Sequence, residues 1–119
     1  MAEYLKQNIL PATKQFQHYD IIYITFKENG VSLDLTGYIF TMEFREGSED
    51  GTLVKKLVLT TDELEIVEVS GVSKLKINPF SIDTSGNIFY DIRMKTGSIV
   101  KYHVGGSVKV TPSATKQDN

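Results

Sequence analysis

The sequence predicts an all-β fold, an antiparallel, immunoglobulin-like β-sandwich of about 7–8 strands. Three observations predict it. Tyr38 to Arg45 alternates strictly, with Tyr38, Phe40, Met42 and Phe44 on one face and Ile39, Thr41, Glu43 and Arg45 on the other, as a strand with one buried face requires. Short glycine-containing turns at Asn29-Gly30, Ser70-Gly71 and Thr96-Gly97 separate other alternating runs and favour hairpins. No segment of useful length has the apolar spacing of a helix.

The elements follow in chain order. Residues 1–17 stand apart as an N-terminal arm. Met1 to Leu10 allows one or two helical turns, which Pro11 ends by forcing the preceding residue out of the helical region. Two readings stay open: a frayed leader, or an arm that docks on a neighbour through Tyr4, Leu5, Ile9, Leu10 and Phe16. His18 to Lys27 reads as the first strand, with Ile22, Ile24 and Phe26 inward and Ile21 and Tyr23 outward. After Asn29-Gly30, Val31 to Leu35 returns. Thr36-Gly37 then launches the central strand, Gly37 supplying a backbone angle that a side chain resists. Glu46 to Thr52 is a polar loop. Leu53 to Leu59 follows with Leu53, Leu57 and Leu59 on one face, Val54 and Val58 on the other, and Lys55-Lys56 guarding an edge.

Leu64 to Val69 and Val72 to Asn78 form a hairpin. Pro79 to Ser85 breaks the pattern while Phe80 and Ile82 hold the core. Ile88 to Lys95 puts Tyr90, Ile92 and Met94 inward and Phe89, Asp91 and Arg93 outward. The last strand or pair is Ile99 to Val104 and Ser107 to Val110, with a bulge or close backbone approach at Gly105-Gly106. The sandwich domain thus covers residues 18–112 and a polar tail covers 113–119. Gly37, Phe40, Met42, Phe44, Tyr90 and Ile92 define the fold.

Composition narrows the function. A chain of 119 residues suggests one domain able to bury about two thirds of its unfolded surface. Six Phe and six Tyr suffice for its core, and the absence of Cys removes disulfides and cysteine-held zinc. The net charge of −2 offers no general attraction to nucleic acid or to an anionic membrane. No apolar run approaches the ~20 residues of a membrane span, and no secretory signal is expected.

The sequence nominates no catalytic residue, cofactor site or metal site. His18 and His103 lie in no nucleophile or zinc motif. The carboxylates of residues 46–52 lack calcium-loop spacing. Glu43 and Asp91 fall on outer faces, unlike a glycosidase pair. Lysines are scattered among acids, which argues against a nucleic-acid face. Ile21, Tyr23, Ile39, Phe89, Val54 and Val58 lie outward. Either they gather into a contact patch, or loops and the N-terminal segment cover them.

Asp34-Leu35-Thr36-Gly37-Tyr38, Met42-Glu43-Phe44-Arg45, Tyr90-Asp91-Ile92 and Gly106-Ser107-Val108-Lys109-Val110-Thr111-Pro112 occur in this order. Together they resemble small phage virion β-sandwich proteins and are similar in style to the N-terminal domain of phage baseplate upper proteins. The likeness spans about residues 18–112. It departs at the opening strand, where Gln17-His18-Tyr19-Asp20 replaces the usual Q-G-D lead-in, and a freestanding adaptor or auxiliary protein is expected, not the head of a long fibre.

The resemblance implies a non-enzymatic structural protein of the virion, made in the host cytoplasm. Its expected role is an adaptor for tail, baseplate or fibre attachment, or a capsid decoration protein. Expected partners are other virion proteins and copies of itself in a ring or lattice, with no nucleic acid and no membrane. A carbohydrate-binding module is the alternative, although residues 46–52 and 96–98 carry no aromatic.

Overall fold

The computed structural model describes residues 3–6, 9–60 and 62–113, with residues 3–6 and Tyr102 described by their backbone. The described chain is all-β. Its strands are β1 (Glu3–Lys6), β2 (Thr13–Lys14), β3 (Ile22–Ile24), β4 (Lys27–Glu28), β5 (Val31–Ser32), β6 (Ile39–Glu46), β7 (Thr52–Val58), β8 (Leu64–Val69), β9 (Val72–Ile77), β10 (Gly86–Thr96) and β11 (Ile99–Thr111). The larger sheet has the order β1-β11-β10-β6-β7, with β2 also on β11; a second sheet runs β3-β9-β8, and β4-β5 is a separate hairpin.

The aromatic face of β6 becomes the centre of the core. Phe40, Met42 and Phe44 are fully buried. They stand opposite Met94, Ile92 and Tyr90 of β10. The smaller sheet contributes Leu64, Leu75 and Ile77 to the same cluster. Phe44 meets Phe80 with ring centroids 5.3 Å apart, and Phe26 meets Phe40 at 5.4 Å. These tilted geometries add about 0.5–1.5 kcal/mol per pair beyond burial.

Turn chemistry explains two of the hairpins as expected; in the third, Thr96 is the last strand residue and pairs with Ile99, so the turn is Gly97-Ser98 and not Thr96-Gly97. Asn29 and Gly30 have φ of 54° and 79°, and Ser70 and Gly71 have 53° and 80°. Positive φ at both central residues matches the right-handed twist of the flanking strands. Gly37 has φ of 89° where the chain enters β6. There the Thr36 N–H donates to Asp34 Oδ1 at 3.0 Å, a local Asx turn that sets the corner.

Four other expectations are corrected. The opening strand is not continuous from His18 to Lys27. Ile22 pairs with Ile77, and the same register places Asp20 opposite Pro79, beyond which only a His18–Ser81 bridge remains. Pro79 has no N–H to give the ladder, so the strand splits there. In β7 the register shifts between Phe44 and Arg45, whose partners are Lys55 and Leu53. Val54 is the extra residue. It packs against the core while Leu53 is 42% exposed, so the bulge reverses their expected sides.

The third concerns the end of the chain. β11 runs unbroken through Gly105 and Gly106; the irregularity lies where Met94 and Lys95 pair with Tyr102 and Val100, leaving Lys101 extra. The fourth concerns the N-terminus. Glu3–Lys6 is a strand parallel to β11, not a helical turn, and Thr13–Lys14 rejoins β11 farther along. The split opening strand and these N-terminal pieces give eleven strand segments among the described residues. The expected tail lies outside the described residues except for Ser113.

Candidate interaction surfaces

The N-terminal segment follows the free edge of β11. Lys6 pairs with Gly105, and Thr13 pairs with Val110. Between these points Leu10 turns into the core, where it is 5% exposed. Two phenols hold the backbone of this excursion. Tyr90 Oη accepts the N–H groups of Ile9 at 2.8 Å and Leu10 at 3.3 Å. Tyr19 Oη donates to the Pro11 carbonyl at 2.8 Å. Tyr90 stands opposite Gly106, and a residue without a side chain leaves room for the ring to reach across β11.

Burial drives the Tyr19 hydroxyl up to about 12, with a smaller push from the neighbouring Tyr90. Burial likewise raises Tyr90, against the lowering effect of the Ile9 and Leu10 N–H groups. Both phenols therefore stay neutral at physiological pH.

This geometry divides the residues expected to form an arm. Leu10 belongs to the protein's own core and is not free to contact a neighbour. Ile9 packs against that core. Phe16, at φ of 64°, sits in a turn whose N–H donates to the Ile82 carbonyl at 3.2 Å. Tyr4 and Leu5 lie in β1, opposite His103 and Val104; their side chains lie outside the described ones.

The outer face of the larger sheet is rich in cations. Register places Arg45, Lys56, Arg93, Lys95 and Lys109 on it, with Glu43 and Asp91 between them. Glu43 receives Arg45 at 3.0 Å and lies 3.9 Å from Lys56. Asp91 Oδ2 lies 2.7 Å from His103 Nε2 and 3.8 Å from Arg93. These pairs are partly exposed, so each contributes ~1 kcal/mol or less. Other acids lie in the turns and loops, at Asp20, Asp34, Glu49, Asp50 and Asp62. Lysines scattered in sequence are thus gathered in space, because alternate positions of adjacent strands share a face. Reading the cross-strand register before counting charges would have found this.

The outward apolar residues do not form one patch. Ile21 and Tyr23, 44% and 49% exposed, belong to the smaller sheet and its lead-in, whereas Ile39, 49% exposed, is on β6 of the larger. Phe89 is half-buried beside Arg45 and Glu49, and Arg45 Nη1 donates to the Gly51 carbonyl at 3.1 Å. The loop after β6 thus leans over this part of the sheet.

A polar cleft of about 400 Å³ lies between the β5–β6 connection and the β8–β9 hairpin, lined in part by Ser32, Asp34, Thr36, Glu68 and Ser73. Ser73 Oγ accepts the Leu35 N–H at 3.0 Å. The Thr36 backbone N–H, and then its side chain, hold the Asp34 carboxyl below the ordinary aspartate range. Among the described residues no group of three or more His, Cys, Asp or Glu is placed to hold a metal ion. No protein-family model and no curated protein matches this chain.

Proposed function

We propose that this protein is a non-enzymatic structural component of a bacteriophage virion. In this reading it is an immunoglobulin-like sandwich that serves as an adaptor in tail, baseplate or fibre attachment, or as an auxiliary protein on the capsid. Its partners are other virion proteins and further copies of itself.

The observation that carries the reading is where the fold puts the ordered motifs. Asp34 to Gly37 forms the corner into β6, Met42 to Arg45 lies in β6, Tyr90 to Ile92 in β10, and Gly106 to Thr111 in β11. Tyr90 is opposite Phe44 on one side and Gly106 on the other. The motif residues are therefore mutual neighbours in one structural unit, as a shared module requires. The outer face shared by β6, β10 and β11 offers a broad surface on which Arg93 and Lys109 are exposed. Arginine and aromatic residues are favoured at protein contacts. Such contacts, repeated over many copies, sum to firm attachment.

Antibody labelling of purified particles from the source, viewed by electron microscopy, tests this proposal. Label at the tail tip, collar or capsid supports it and chooses among the roles. Particles unlabelled both intact and disrupted would sink it.

The polar cleft supports a second reading, carbohydrate binding, with hydroxyl groups and two carboxylates available to a sugar. A glycan array distinguishes it: binding abolished by Asp34→Ala would put this reading first.

A further inference from the structure

We infer that the outer face of the larger sheet docks an acidic protein surface, one whose carboxylates meet two separate groups of cations. This deepens the structural reading above and rests on its premise that other proteins attach to this molecule.

The register sorts the charges on this face by position. At one end, Arg93 stands opposite Thr41 and His103, and Lys95 stands opposite Ile39. At the other end, Lys109 stands opposite Asn87, and pairing with Thr111 carries Lys14 to the same face. Lys14, Arg93 and Lys109 are exposed. Between the two ends, Glu43 and Asp91 lie directly opposite each other on neighbouring strands. Like charges so placed destabilise a sheet unless cations offset them. Arg45 and Lys56 do so at Glu43, and His103 and Arg93 at Asp91. Glu49, from the loop after β6, borders the same acidic middle. Lys14, Lys95 and Lys109 make no ion pair among the described residues. The central cations thus answer the face's own carboxylates, and the terminal ones remain for a partner.

The spacing selects the partner class. His103, beside Arg93, and Lys109 are six residues apart on β11, so at about 3.3 Å per residue the two cationic groups stand roughly 20 Å apart. A standard protein contact covers ~800 Å² on each partner, a patch roughly 30 Å across, and spans both groups. Duplex DNA carries a charge about every 1.7 Å of its axis, so its phosphates would run over Glu43, Asp91 and Glu49. A protein surface can place carboxylates at the two ends and leave the middle neutral or basic. Lys95 also borders Ile39, which is exposed and gives such a contact apolar area to bury.

A water-soluble carbodiimide tests this, because it joins a lysine amine to a carboxylate only where the two touch. It is applied to purified particles and, separately, to lysate of the cells that make the protein, and the linked peptides are mapped by mass spectrometry. Links from Lys14, Lys95 or Lys109 to Asp or Glu of another protein are expected, at least several-fold more abundant than links from Lys27 on the separate β4-β5 hairpin. Relative to Lys27 they should fall several-fold in about 1 M salt, where the screening length drops from about 8 to 3 Å, and also in Arg93→Glu protein. Links no more abundant than those of Lys27, or unchanged by salt, would overturn the proposal.

A gel shift with purified protein and a short DNA duplex covers the other class of partner. No shift is expected at about 0.15 M salt; a shift that Arg93→Glu/Lys109→Glu removes would overturn the proposal and assign the face to nucleic acid. Particle labelling is independent of these results. Mapped links in the lysate without label on particles refute the virion role alone, whereas label without such links refutes the acidic partner alone.

Discussion

At the scale of single residues, two tyrosine hydroxyls decide how the N-terminal segment sits. Tyr90→Phe keeps the ring but leaves the Ile9 and Leu10 N–H groups without their shared acceptor. A loss of about 1–3 kcal/mol is expected, measured as a lower urea midpoint together with faster amide exchange at those two residues. Tyr19 gives a pH signature. Its hydroxyl sits near 12 in the folded chain, against an ordinary value of 10.0. The folded state therefore keeps a proton that the unfolded chain releases, and stability falls as pH rises from about 10 toward 12. An absorbance titration of phenolate should show a late-titrating tyrosine that Tyr19→Phe removes. If all tyrosines titrated together near 10, the burial of Tyr19 would be refuted.

At the scale of elements, turn residues can be tested singly. Gly37→Ala forces a side chain into φ of 89° and should cost about 1–3 kcal/mol in equilibrium unfolding. Ser70→Asn should stabilise by ~0.5 kcal/mol, because Asn tolerates the left-handed conformation found there better than Ser. The hairpins at Asn29-Gly30 and Ser70-Gly71 and the alternating strands β6, β9 and β10 were legible because each rests on local rules: period-two patterning and the backbone freedom of glycine. The split of the first strand was not, since it depends on Pro79 standing opposite Asp20, a relation visible only once the register is known. The bulges at Val54 and Lys101 were hidden for the same reason, as an extra residue has no signature in apolar alternation. Leu10 and Ile9 looked like material for an arm because an apolar residue bound for its own core reads the same as one bound for a neighbour's. The cationic face escaped notice because it joins lysines and arginines from separate strands.

At the scale of the whole molecule, cations gather on the outer face of the larger sheet. Arg93 and Lys109 lie on that face and are exposed. The double reversal Arg93→Glu/Lys109→Glu should leave the urea midpoint within about 1 kcal/mol of the parent while lowering incorporation into particles at least several-fold. Unchanged incorporation, scored by immunoblot of purified particles, would exclude this face as the contact. The parallel course of β1 along β11 has a further consequence, one of polarity. Glu3 sits beside Tyr102, near the β10–β11 turn, and the chain leaves β11 at Thr111. At about 3.3 Å per residue, those points are roughly 30 Å apart, a large part of the 44 Å long axis. Glu3 and Thr111 therefore mark the two ends of one long strand, so that probes attached at these two positions would be held about 30 Å apart by a single stretch of paired backbone.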